Sequence, residues 1–203
     1  MKIAVSILGI KDNISKIKEV ECSSADYIHL DIMDGKFVSS ITDMNKDYNK
    51  KLDIHFMVYD VKSYIDAYKH LHPEYITFHF EAVDNPKEII DYIHSLGSKA
   101  GISISPDTKV EKIIPYLNFV DLVLVMSVVP GKGGQTFIPN SINKINMLYD
   151  LRETCSYHYQ IEIDGGINKD TLPLVKNIDI AVIGSYITNS TNYEETIMKI
   201  KEK

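Results

Sequence analysis

Residues 27–35 read Tyr-Ile-His-Leu-Asp-Ile-Met-Asp-Gly. Ile28, Leu30 and Ile32 alternate with His29, Asp31 and Met33, and an Asp-Gly turn signal closes the run. A period of two is the signature of a strand whose alternate side chains share a face. His29, Asp31 and Met33 therefore point the same way. Residues 52–58, Leu-Asp-Ile-His-Phe-Met-Val, repeat the pattern and put His55 and Met57 on one face.

Working outward, further short apolar runs stand at 3–8, 75–80, 99–105, 121–127, 159–164 and 180–184, several of them rich in Ile and Val. Between the runs lie expected helices at 12–22, 42–50, 60–71, 86–96, 108–117, 139–153, 169–176 and 191–202. Pro86 suits an early helix position and Gly97 a helix stop; Asp107 or Thr108 suits a cap. The segment at 42–50 has the weakest periodicity and reads mostly as loop. Eight strand–helix units in series predict a parallel sheet, closed as a single-domain (β/α)8 TIM barrel over residues 1–203. An open doubly wound sheet is the alternative, but the first turn, LGIKDN, lacks the GxGxxG of a dinucleotide site.

Bulk properties narrow the function classes. The 203 residues are 44% apolar and 25% charged, an ordinary globular balance. A net charge of −6 argues against a general nucleic-acid binder but not against a locally held phosphate. No run approaches the length of a membrane span, and the first residues read as a strand rather than a signal peptide. Cys22 and Cys155 belong to no CxxC motif, so a reduced, cytoplasmic setting is expected, with both cysteines structural or incidental.

His29, Asp31, His55 and Asp164, the last in IEIDGGIN, all fall near strand ends. Two neutral imidazoles and two carboxylates balance one divalent cation, and the donor set suits Zn, Fe, Mn or Co. Buried carboxylates need a charge partner, and no Lys or Arg lies inside these runs. Strands 2 and 7 are three steps apart in a ring of eight, so Asp31 and Asp164 are expected to face each other across the mouth. Two acid–base groups on opposite faces of a substrate carbon invert it, and a cation stabilises the enediolate between the two proton transfers. Met33, Met57 and Met126 either line that site or simply pack the barrel. Ser6 either reaches the site or bonds to backbone. His79 and Glu81 share a face of the fourth run, as support behind the site or as a hydrogen-bonded core pair. His70, His72, His94 and His158 are expected to be solvated.

Glycines follow the last three strands: Gly131, Gly133 and Gly134 around Lys132, then Gly165 and Gly166, then Gly184 before Ser185 at a short helix. Backbone N–H groups freed by glycine suit an anion, and the loops after strands 7 and 8 of such barrels often hold phosphate. Lys132 either pairs with that phosphate or faces solvent.

Taken together, SIL, HLDIMDGKFV, HFMV, TFHFEA, GISISPDT, LVMSVVPGKGGQTFIP, IEIDGGIN and IGS resemble the ribulose-phosphate 3-epimerase family along nearly the whole chain. The resemblance implies a phosphate-binding barrel that interconverts D-ribulose 5-phosphate and D-xylulose 5-phosphate with one divalent metal ion, working as a homo-oligomer. It implies His29, Asp31, His55 and Asp164 as ligands, and Asp31 and Asp164 as the acid–base pair. Ser6, His55 and Asp164 would touch substrate, with Gly131, Lys132, Gly133, Gly134, Gly165, Gly166, Gly184 and Ser185 at the phosphate. Departures from the family pattern are Gly9-Ile10-Lys11 after SIL, Ser39-Ser40 after GKFV, and Lys132 in place of an aromatic. They leave a hexulose 6-phosphate such as D-allulose 6-phosphate as the alternative substrate. A catalytically silent phosphosugar-binding barrel is a further alternative.

Overall fold

In the computed structural model, which describes residues 1–202, the apolar runs are parallel strands. They are β1 (Lys2–Ser6), β2 (Tyr27–Met33), β3 (Leu52–Met57), β4 (Tyr75–His79), β5 (Lys99–Ile104), β6 (Leu122–Met126), β7 (Gln160–Asp164) and β8 (Ile180–Ile183). Each pairs with the next, and β8 returns to β1. The sheet is a closed barrel, not an open one.

The alternation explains the closure. Ile28, Leu30, Ile32, Ile54, Phe56, Ile102, Val123, Val125, Ile161 and Ile163 join the large core that also holds helix residues such as Ile17, Ile65, Ile90 and Leu148. The other face points into the barrel. Near the strand starts it is apolar, with Ala4, Tyr27, Tyr75, Leu122, Ile180 and Val182 in contact. Further along, the inward positions turn polar: His29, Asp53, His55, Thr77, His79, Ser103 and Glu162 are all fully buried. Burial of both faces is why the strands read as near-continuous apolar runs.

The helices are α1 (Ile14–Cys22), α2 (Val61–Tyr68), α3 (Pro86–Ser95), α4 (Ser141–Cys155), α5 (Ser185–Thr188) and α6 (Tyr193–Lys201). Asn13, Asp60 and Asn192 cap α1, α2 and α6 by accepting N–H bonds from Lys16, Ser63 and Glu195. Three expected helices are corrected. Residues 108–117 form two single 3-10 turns, Val110–Lys112 and Ile114–Tyr116, and 169–176 contains only the turn Leu172–Leu174. Pro115 and Pro173 lie in these segments and remove an N–H from any longer helix. Residues 42–50 carry no helix. That segment is tied to the barrel instead, by Thr42 Oγ1 donating to Asp31 O and by Met44 N–H donating to Tyr68. Among the described residues no helix is long and apolar enough to cross a membrane. Cys22 and Cys155 are unpaired and exposed. His70, His72, His94 and His158 are exposed as expected, and His94 also bonds Asp121 at 2.8 Å.

Candidate active site

The register places Asp31 beside His55 and Met33 beside Met57, while Met126 lies beside Asp164 across the β6–β7 pair. Strands β2, β3 and β7 thus bring His29, Asp31, His55 and Asp164 together, with one donor atom from each within 4.8 Å of the others. His29 Nε2 lies 3.5 Å from Asp31 Oδ1, and His55 Nδ1 lies 3.6 Å from the same oxygen. Both distances are too long for a hydrogen bond. The two nitrogens are buried and have no hydrogen-bond partner. A buried, unpaired polar atom costs roughly 1–3 kcal/mol, so two of them converging on one carboxylate fit a cation that accepts their lone pairs.

The far side of each ring is held. His29 Nδ1 sits 2.6 Å from Asp53 Oδ2, and His55 Nε2 sits 2.9 Å from His79 Nε2. Ser6 Oγ donates to Asp31 Oδ2 at 2.7 Å, so its hydroxyl serves the site carboxylate rather than the backbone.

The two carboxyls are shifted in opposite directions. Burial raises the Asp31 pKa, but His29 and His55 outweigh it and hold the group far below the usual carboxylate range. At Asp164 the balance reverses; burial, then the charge on Asp31, outweighs His29 and pushes its pKa up to about 7. Burial disfavours a charged His29, yet Asp53 and Asp31 prevail and its pKa lies well above the ordinary value. His55 is shifted downward, chiefly by burial. Behind His29, the fully buried Glu162 is held well above the normal carboxyl range by burial and then by Asp53.

A cavity of about 940 Å³ opens above this cluster. Ser6, Asp31, Met33, Met57, Met126 and Asp164 form its floor and walls. Gly131, Lys132, Gly133, Gly134, Gly165, Gly166, Gly184 and Ser185 also line it. The three methionines are at most 2% exposed, so they serve as both lining and packing. Gly165 and Gly166 are required here. Their φ angles are +119° and +66°, and a Cβ would meet Val128 Cγ2 at 2.5 Å or Phe137 N at 2.7 Å. The 34–42 loop folds back through an Asp34–Ile41 bridge, and Ser40 Oγ donates to Gly131 O at 2.8 Å. His29 and His55 do not line the cavity. Both stand fully buried beneath it.

Sequence reading missed Asp53 and Glu162. The signal was present: each lies two residues before an expected ligand on the same strand, hence on the same face. With His29 they form a second close cluster deeper in the barrel. Glu81 lies just past β4, in the turn Phe80–Ala82, with its Oε2 3.0 Å from His79 Nδ1.

Fold and site define a (β/α)8-barrel enzyme with a candidate cation centre beside a glycine-lined cavity. The profile of the "Ribulose-phosphate 3 epimerase family" matches residues 2–188. The chain is 35% identical over 201 residues to the ribulose-phosphate 3-epimerase of Chlamydia pneumoniae, covering 91% of this chain and 86% of that one. It is 36% identical over 197 residues to that of Chlamydia muridarum, with the same coverage. Among solved structures, KGPDC from Streptococcus mutans superposes with a TM-score of 0.69 at 13% identity, covering 99% of this chain and 95% of that one; the likeness concerns fold. The chain belongs to the ribulose-phosphate 3-epimerase family. It is an isomerase of the epimerase type.

Proposed function

We propose that this barrel interconverts D-ribulose 5-phosphate and D-xylulose 5-phosphate by proton transfer at C3, with Asp31 and Asp164 as the two acid–base groups. The observation carrying this reading is that carboxyls from β2 and β7, strands three steps apart in the ring, converge on one pair of imidazoles. Two acid–base groups reaching a substrate carbon from different strands can invert it. Ionised Asp31, oriented by the Ser6 hydroxyl, takes the C3 proton from one face. Asp164 delivers a proton to the other face, and the roles exchange for the reverse reaction. A divalent cation (Zn, Fe, Mn or Co) held by His29, Asp31, His55 and Asp164 supplies electrophilic stabilisation of the charge that develops on the substrate oxygens. Met33, Met57 and Met126 keep water from the planar enediolate. The N–H groups of the Gly131–Gly134, Gly165–Gly166 and Gly184–Ser185 segments receive the phosphate, with Lys132 at their rim. The reading takes the chain as one catalytic barrel in a cytoplasmic setting, in keeping with its two unpaired cysteines.

The test is deuterium entry at C3 in D₂O, followed by NMR on a panel of ketose phosphates. Exchange with inversion is expected on ribulose and xylulose 5-phosphates. Faster turnover of D-allulose 6-phosphate would overturn the sugar assignment, and a lack of exchange on any ketose would make the barrel a binding protein.

A further inference from the structure

We propose that Glu81 is a positioning residue: acting through His79, it decides which nitrogen of His55 carries the proton and so presents the Nδ1 lone pair to the cation. The inference rests on the cation reading of the His29, Asp31, His55 and Asp164 cluster.

His55 Nε2 and His79 Nε2 face each other at 2.9 Å, both rings fully buried and stacked with centroids 4.9 Å apart. Between neutral imidazoles only one of the two facing nitrogens holds a hydrogen. If His55 donates, its Nδ1 is bare and points at the cluster. If His79 donates, the His55 proton sits on Nδ1 and the lone pair is lost. Nothing in the pair itself chooses.

Glu81 chooses. Its Oε2 lies 3.0 Å from His79 Nδ1, whereas Ser105 Oγ, at 3.5 Å, is too distant to compete. A carboxylate only accepts, so His79 must donate from Nδ1 and accept at Nε2. The chain then runs one way: His55 Nε2–H to His79, His79 Nδ1–H to Glu81. The carboxylate is itself fixed. Glu81 Oε1 accepts from Ser105 N–H at 2.9 Å and from the Thr108 hydroxyl. That loop is clamped by Lys144 Nζ of α4, which donates to Ser105 O (2.8 Å), Pro106 O (2.6 Å) and Thr108 O (2.7 Å). Burial works against the charge on Glu81, but its donors His79 and Thr108 lower the pKa to about 2, so it stays an acceptor.

An amide of the same shape cannot do this. In Glu81→Gln one terminal atom accepts and the other donates. The backbone N–H of Ser105 claims the oxygen, which turns the NH₂ toward His79 Nδ1. His79 must then accept there and donate from Nε2, and the reversal moves the His55 proton onto Nδ1.

Long-range ¹H–¹⁵N spectra of the metal-free, labelled protein read the tautomers directly, and competition against a chromogenic chelator reads Zn²⁺ affinity. The wild type is expected to show His55 protonated at Nε2 and His79 at Nδ1. Glu81→Gln should reverse both and weaken Zn²⁺ binding roughly 10–100-fold, the usual cost of losing a partner behind a metal-bound histidine. Thr108→Val, which keeps the carboxylate and its Ser105 bond, should retain the wild-type tautomers and affinity. A His55 proton on Nδ1 in the wild type, or undiminished Zn²⁺ affinity in Glu81→Gln, overturns the proposal. Should Glu81→Gln not fold, the wild-type tautomers alone decide. A wild type that binds no Zn²⁺ brings down the cation reading itself. Zn²⁺ binding that is indifferent to Glu81→Gln brings down only this inference.

Discussion

The two ends of the barrel use the same residue types to opposite effect. At the end where the strands begin, an acidic residue stands immediately before each even-numbered strand: Asp26, Glu74, Asp121 and Asp179. Three of these carboxylates accept an N–H from the preceding strand, at Ile3 (2.8 Å), Ala100 (2.8 Å) and Ile161 (2.7 Å). Asp26 and Asp179 also pair with Lys201 and Arg152, and Asp121 bonds the His94 ring at 2.8 Å. Glu74 pairs with Lys51 at 2.7 Å and Lys99 at 3.0 Å. At the mouth, carboxylates and imidazoles converge with ring nitrogens left unpaired. Completed pairs hold the cylinder closed, while incomplete ones are where a ligand gains its binding energy. This division follows the rule that such barrels place stability at one face and chemistry at the other.

The largest effects of substitution are expected at the mouth. Asp31→Asn and Asp164→Asn should each cut C3 epimerisation by about 10³-fold or more, at the upper end of what a single acid–base group contributes. Both variants should fold normally by circular dichroism. Near-normal turnover in either would end the two-acid assignment and with it the claim that the mouth is built for chemistry.

Cation removal should expose the cost of the incomplete pairs as a pH dependence. The Asp164 pKa is raised from 3.8 to about 7, so the fold prefers its neutral form. The associated stability is full below about pH 4 and is lost as pH rises through about 7. The raised His29 pKa acts in the same sense, since its charged form is favoured at low pH. The lowered pKa values of His55 and His79 act the other way over the same range, so the Asp164 share is read against Asp164→Asn: chelator-treated wild type should lose thermal stability relative to that variant between pH 4 and pH 7, and added Zn²⁺ should restore the wild type. A wild type that gains on Asp164→Asn across that window would contradict the geometry.

At the opposite end the expected effects are on stability alone. Asp179→Ala removes the acceptor of Ile161 N–H and the partner of Arg152. Hydrogen bonds to charged groups contribute about 1.5–3 kcal/mol, so urea unfolding should shift by that order while kcat stays near wild type. A large loss of turnover without a loss of stability would blur the division. The smallest effect belongs to Glu74. Burial works against its charge, but Lys51 and Lys99 lower its pKa to about 2. Its contribution is present above the ordinary value of 4.5 and fades as pH falls through about 2. Both lysines are well exposed, so salt screens the gain. Glu74→Gln should only flatten the acid limb of the stability curve slightly, and less so at high salt.

Much of this was legible along the chain because a strand's period is local. His29 and Asp31 could be placed on one face from their spacing, and the eight runs lie where the apolar pattern put them. Helices were less legible. The segments holding Pro115 and Pro173 have helical periodicity but lack the N–H groups to sustain it, and 42–50 is governed by contacts with Tyr68 and Asp31. The support behind the site was weakly legible. Asp53 and Glu162 sit at same-face spacing from ligands, yet their partner, His29, lies on another strand.

The residues alone determined the strand order of chemistry: which runs are strands, which side chains look inward, and that two histidines and two aspartates are available there. Only the closed barrel decided the rest. It selected the nitrogen each imidazole turns to the cluster, kept Asp31 charged while raising Asp164, and joined Glu81 to His55 through His79. Side-chain direction along a strand follows from local backbone geometry, but proton position and charge depend on partners that only closure of the sheet brings within a few ångströms.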